Sequence, residues 1–465
     1  MHFVQYYLDC LSQASYLVGD EDTGRAVVVD PRRDVHVYLD DAAAAGLRIE
    51  RVIETHIHAD FLSGHLELAA ETGAAISYGE GAEVDYRIEA LRDGEQLSLG
   101  DVTLQVLATP GHTPESISVV VREHPDDSVP YAVLTGDTMF IGDVGRPDLL
   151  SAAGVEPDEL ARALYRSLHE KLLALPDPTR VFPAHGAGSA CGKNLSTETQ
   201  STIGEQRRTN YAVQPMSEDE FVALVTEGQP LQPMYFSFDA QRNRQAHPLL
   251  DEAELPAQLT LEELLARRDA GAAVLDTRDP IDYAAGHLRG SINVGLHGRF
   301  AEFGGDVLAP ERPVVLVSEP GTELEAKVRL SRVGFDRVEG ALADPVRVLL
   351  EHPEVVEPSS RLTVAEFDAR AGKVDALQIV DVRNPGETAL GVIPGAVTMP
   401  LPRLEAGLGE LDPSRPTVVY CGSGYRSSIA ASVLAAAGFG DVSDLLGGYE
   451  AWKGQRQRGQ EEAKV

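Results

Sequence analysis

Two groups of residues on this chain have the types and spacing to do chemistry. The first is His56-Ile57-His58-Ala59-Asp60, followed downstream by Gly111-His112-Thr113, Thr135-Gly136-Asp137 and Pro183-Ala184-His185-Gly186. Neutral imidazoles and carboxylates are good ligands for first-row metals. A lone histidine reads as a core or cap residue, but this cluster with three further groups reads as a metal site. The second group is the loop Cys421-Gly422-Ser423-Gly424-Tyr425-Arg426-Ser427. A glycine-rich loop entering a helix points backbone N–H groups inward and stabilises an anion. Arg426 adds a cation, so Cys421 reads as an activated thiol, able to carry a thiolate or a persulfide, rather than as a packed core cysteine.

The metal-type residues need a scaffold, and the pattern supplies one. Residues 1 to about 245 alternate short β-rich runs with turns. Arg25–Asp30, Arg51–Thr55, Val102–Leu107 and Tyr131–Thr135 are strand candidates, and the last three run into a His or Asp soon after they end. Ligand-type residues in loops at strand ends are what a strand scaffold with a surface site presents. Residues 215–257 carry five prolines with little periodicity and read as a wrapping segment followed by a linker. His65 reads as a helix-start residue. Cys10 and Cys191 read as packed thiols.

The thiol loop lies in a repeat. Leu275-Asp276-Thr277-Arg278 recurs as Val380-Asp381-Val382-Arg383, and Gly286–Asn293 recurs as Gly391–Thr398. Two copies of one fold of about 100 residues follow. Alternating strands and helices imply parallel α/β units. Cys421 lies between the strand candidate Val418–Tyr420 and a helical run, Ser428–Ala437. The first copy reads Ser318-Glu319-Pro320-Gly321-Thr322-Glu323 at the matching loop. It has no cysteine, and acids stand where an anion needs a cation, so it reads as catalytically silent.

Composition narrows the classes. The 465 residues suffice for about two to four domains. The formal net charge of −33 argues against a nucleic-acid partner and against anionic membranes. Three cysteines do not make a disulfide framework. No secretory leader or membrane span is legible, so the expected location is cytoplasmic. A homo-oligomer remains open.

The spaced His and Asp groups resemble the metallo-β-lactamase superfamily, over most of residues 1–210. Phe61 stands where two-metal members carry a further histidine, and phenylalanine cannot ligate. Within that superfamily the chain is most similar to the persulfide dioxygenases. That resemblance implies one Fe(II) in the domain, held by His56, His112 and Asp137 as a facial triad with open positions. It makes His58, Asp60 and His185 groups that orient ligands or waters. It makes Arg146, in Gly142–Asp148, a holder of a substrate carboxylate. The repeat and its loop resemble the rhodanese sulfurtransferases. That implies catalysis by Cys421 and Arg426, with Gly422, Gly424 and Ser427 binding substrate.

The expected fold is therefore α/β: a metallo-β-lactamase αββα sandwich over 1–245, a silent rhodanese-like domain over 258–355 and an active one over 361–455. The expected activity is oxidation of a low-molecular-weight thiol persulfide by O2 to sulfite, coupled to sulfur transfer that forms or consumes thiosulfate. Two alternatives stand beside it: a glyoxalase II-type hydrolase of thioesters, and a sulfur carrier with a structural metal.

Overall fold

The computed structural model describes residues 1–149, 154 and 156–462. It divides into two compact units, Met1–Gln232 with Phe236–Leu250, and Pro233–Tyr235 with Asp251–Val465.

The first unit holds two six-stranded sheets. One runs in the order His2–Leu8, Gln13–Asp20, Arg25–Val29, Arg48–Ile53, Ala75–Gly79, Glu89–Leu91. The other runs Ser201–Thr202, Arg180–Pro183, Ala132–Gly136, Ile117–Arg122, Thr103–Ala108, Gln96–Ser98. Side-chain alternation explains the layers. Val27 and Val29 face the core between the sheets, where they meet Leu104, Val119, Val121 and Leu134. Ala26 and Val28 face the other way, towards Tyr38, Ala42 and Leu68 of helices His36–Ala44 and His65–Thr72. On the second sheet Val120 and Val133 pack beneath Ala161, Leu164 and Phe221. Strands buried on both faces must be apolar throughout, which is why Ala26–Val29 reads as an unbroken run. Each such valine taken from water contributes about 1.5–3 kcal/mol. The result is the expected αββα sandwich.

The segment read as irregular is partly helical. Glu218–Thr226 starts with a capping box between Ser217 and Glu220, and Phe236–Arg242 follows later. Ser217 and Glu220 have the spacing of a capping box, a helix-start signal that stands among prolines.

The second unit contains the repeat. Each copy has a five-stranded parallel sheet of the same order. The first is Gln258–Leu259, Val338–Leu342, Val314–Val317, Ala273–Asp276, Ile292–Asn293. The second is Ser360–Leu362, Val442–Leu445, Thr417–Tyr420, Gln378–Asp381, Val397–Thr398. Both copies open with a capping box, Thr260 with Glu263 and Thr363 with Glu366. Each also fastens the end of the fourth strand in that order with a buried pair, Arg278 on Asp276 and Arg383 on Asp381. The helix after the thiol loop is Tyr425–Ala436. It starts three residues earlier than the apolar run suggested, because the loop turns directly into it at Gly424.

Candidate metal centre and thiol loop

Strand ends place the first group. The chain leaves Arg48–Ile53 to present His56, leaves Thr103–Ala108 to present His112, and leaves Ala132–Gly136 to present Asp137. Gly136 has φ +52, and a Cβ there would lie 2.7 Å from Thr55 Oγ1, so the turn requires glycine. Nε2 of His112 is 3.4 Å from Asp137 Oδ2, and Nε2 of His56 is 3.9 Å from the same oxygen. The three donor atoms lie within 4.8 Å of one another, and all three residues are buried.

Hydrogen bonds set the tautomers. His112 Nδ1 donates to the carbonyl of Arg146 at 2.8 Å, which leaves Nε2 as a lone pair. Gly145 makes this contact reachable, since a Cβ there would run into Asp137 O. Thr55 Oγ1 donates to Asp30 Oδ2 at 2.8 Å, so at 3.0 Å it accepts from His56 Nδ1. His56 Nε2 is therefore also a bare lone pair. Burial lowers the pKa of both imidazoles, and the neighbouring His58 lowers that of His56 further. Burial would raise Asp137, but His185, His112 and His56 outweigh it and keep the carboxylate ionised. His56 Nε2 and Asp137 Oδ2 are buried without a hydrogen-bond partner among the described residues. Orphaned, ligand-ready atoms of this kind fit a divalent cation.

The remaining residues of the cluster point elsewhere. His58 Nε2 turns to Asp30 Oδ1 at 3.1 Å and Glu54 Oε2 at 3.2 Å. Burial opposes charge on His58, but the two carboxylates outweigh it and hold its pKa well above the ordinary value. Phe61 is buried with its ring 4.4 Å from that of His58. His185 bridges two acids, with Nδ1 2.7 Å from Asp137 and Nε2 2.6 Å from Asp60. Against burial, these acids push its pKa up to about 10. Cys191 lies beside Asp60 and His185, and burial with the nearby carboxylates holds its thiol protonated.

Arg146, expected to hold a substrate carboxylate, is bonded inside the fold. Nε and Nη2 donate to the two oxygens of Asp148 at 2.7 and 2.8 Å, and Nη1 donates to the carbonyls of Ala190 and Pro230. Four of its five N–H groups are spent inside the fold, so it fastens the loop that orients His112. The cavity beside His112, of about 690 Å³, is lined by Ile57, Thr113, Phe236, Gln241 and Arg244 among others. Arg244 is the guanidinium among its described lining residues.

Sequence reasoning missed Asp30, Thr55 and Asn243. Asp30 ends a strand, as the ligands do, and that signal was available. Asn243 donates to the carbonyls of His58 and Phe61, both at 2.8 Å, and accepts from Ser63 N. It pins the metal-site loop from 180 or so residues away, which no spacing rule reveals.

In the thiol loop, Gly424 N donates to Cys421 Sγ at 3.1 Å, and Ser427 Oγ lies 3.5 Å from that sulfur. Gly424 has φ +110, a conformation that favours glycine. Cys421 is only 1% exposed. Arg426 belongs to the same loop, but its fork is turned onto Glu387 by two 2.7 Å bonds. In the first copy Ser318 Oγ merely accepts from Thr277 Oγ1.

The model of the metallo-beta-lactamase superfamily matches residues 8–185, and the model of the rhodanese-like domain matches 260–343 and 363–455. The mitochondrial persulfide dioxygenase ETHE1 of Bos taurus is 30% identical over 237 residues, covering 49% of this chain and 82% of that protein. The Homo sapiens protein matches to the same extent. A crystal structure of a metallo-beta-lactamase from Staphylococcus aureus subsp. aureus COL is 33% identical, with TM-score 0.66, and covers 73% of this chain and 98% of that one. No helix among the described residues is long and apolar enough to cross a membrane. The chain thus belongs to the metallo-beta-lactamase superfamily, with the persulfide dioxygenases as its homologues, and carries two rhodanese-like domains in its C-terminal part.

Proposed function

We propose that this chain is a persulfide dioxygenase coupled to a sulfurtransferase. One Fe(II) per first domain would be held by His56, His112 and Asp137. Domain bounds of 1–245, 258–355 and 361–455 would separate the oxidising, silent and transferring parts. Overall, one persulfide, one O2 and one water would give one thiol, one sulfite and two protons. Bound iron would supply the redox chemistry that activates oxygen. The residues do the rest. Arg146 O and Thr55 keep both imidazoles in the ligating tautomer. Phe236 and Ile57 give the cavity beside His112 apolar walls, and Arg244 offers a cation to the far end of a thiol substrate.

Cys421 would then carry a sulfane sulfur. Attack of sulfite on its persulfide breaks the S–S bond, releases the Cys421 thiolate and forms thiosulfate. The reverse reaction loads the cysteine. The N–H of Gly424 faces the negative sulfur, while Ser427 Oγ, 3.5 Å from that sulfur, gives its own proton to the Gly424 carbonyl.

What supports the reading most is the convergence of two imidazole lone pairs and one carboxylate oxygen, each fixed by its neighbours, beside an open cavity. The test is metal analysis with an oxygen electrode, on protein purified without added metal and given glutathione persulfide. Iron with O2 uptake and sulfite is expected. Thioester cleavage without O2 uptake would replace this reading with the hydrolase. Cys421→Ser should keep O2 uptake and lose thiosulfate formation.

A further inference from the structure

An ion pair stands over the thiol loop. Nη1 and Nη2 of Arg426 donate to Oε2 and Oε1 of Glu387, both at 2.7 Å. The pair sits at Gly422: a Cβ there would be 3.5 Å from Glu387 Oε1 and 3.6 Å from Arg426 Nη2. On another side the loop is closed by Gly448, where a Cβ would collide with the carbonyls of Cys421 and Gly422. The side chains of the pair are 20% and 38% exposed, against 1% for Cys421. The ion pair is thus more exposed than the sulfur of the same loop.

The carboxylate is held independently of the arginine. Glu387 also accepts from the N–H of Asn384 at 3.1 Å, as the cap of helix Pro385–Thr388. Burial would raise its pKa, but Arg426 outweighs this and holds it below the usual carboxylate range. A fork filled bidentately by a carboxylate is not free for another oxyanion, because both present the same pair of acceptors. The silent copy is an internal comparison. Its matching positions carry the exposed Asp282 and, in place of the arginine, Glu323, which accepts from Gly321 N. Where the thiol is absent, the guanidinium fork is absent too.

We infer that Glu387 is a specificity-determining latch: it occupies the fork of Arg426, and an oxyanion substrate, thiosulfate or sulfite, must displace it to reach Cys421. The inference rests on the sulfurtransferase reading above. In the step concerned, the Cys421 thiolate attacks the outer sulfur of thiosulfate. A new S–S bond forms, the old one breaks with its electron pair, and sulfite leaves. Arg426, once released, binds the sulfonate oxygens of donor or leaving group, and Glu387 closes again after it departs.

The test uses the full chain, with thiosulfate as donor and dithiothreitol as acceptor. Glu387→Gln keeps the cap, since its side-chain oxygen still accepts from Asn384, but it removes the competing charge. The KM for thiosulfate should fall about fivefold, with kcat nearly unchanged. In an Arg426→Gln background the same change should give no gain. Glu387→Ala, which also gives up the cap, should lower KM likewise and serves as the second variant. A KM that is unchanged or higher in the folded Glu387 variants overturns the latch. Failure of the underlying reading looks different: sulfur transfer would persist in Cys421→Ser, whatever residue 387 is.

Discussion

The hydroxyl of Thr55 is given to Asp30 at 2.8 Å and so cannot be given to His56, 3.0 Å on its other side. One side chain thereby decides which nitrogen of His56 is bare. Thr55→Val keeps the shape and removes the hydroxyl. Iron affinity should fall about tenfold or more, read as iron lost to a chelator over time. Retention equal to that of the unmodified chain would mean that the tautomer is set some other way.

His112 contributes a donor and lines the cavity. His112→Ala should abolish O2 uptake and sulfite formation and strip most of the iron. Sulfur transfer from thiosulfate should continue, because the thiol loop is in another unit. Sulfite production surviving in this variant would favour a carrier with a structural metal.

The Asp60, His185 and Cys191 donors form a second cluster. It shares with the first the buried atoms that lack a hydrogen-bond partner among the described residues, His185 Nε2 and both Asp60 oxygens, but its Asp60–His185 ion pair is 2.6 Å long and its Cys191 thiol is held protonated. A cation there would have to open the contact and remove a proton. Metal analysis should therefore give about one iron per chain. Two tightly held ions per chain would show that this cluster opens.

Arg244 supplies the guanidinium of the cavity, and no described carboxylate pairs with it within ion-pair distance. Arg244→Met keeps length and loses charge. The KM for an acidic persulfide such as that of coenzyme A should rise about tenfold, with a small change in kcat. Equal KM values in the two proteins would remove Arg244 from substrate binding.

Arg146→Lys exchanges a planar fork for a point charge. Its two bonds to Asp148 and two to carbonyls cannot all be kept, so about 1–3 kcal/mol of local stability should go. The Arg146 carbonyl orients His112, so the iron should also be held less tightly. A lower melting temperature of the iron-loaded protein, with substrate KM unchanged, is the expected pair of results. A raised KM with unchanged melting would return Arg146 to the substrate.

Much was legible in the chain itself. Ligand-type residues at strand ends, the tandem repeat and the glycine-rich cysteine loop are patterns written in the chain, and their resemblance to two known families implies the two fold types. The pairing of charges was not legible. Arg146 and Arg426 read alike as free cations, yet one is spent on Asp148 and two carbonyls and the other is latched by Glu387, 39 positions away. His58 and His56 share one motif, but only burial beside Asp30 and Glu54 turns His58 from the site. Residue type tells what a group is able to bind. Which partner it takes depends on distances of 3 Å or so between segments far apart in sequence, and those exist only once the sheets have packed.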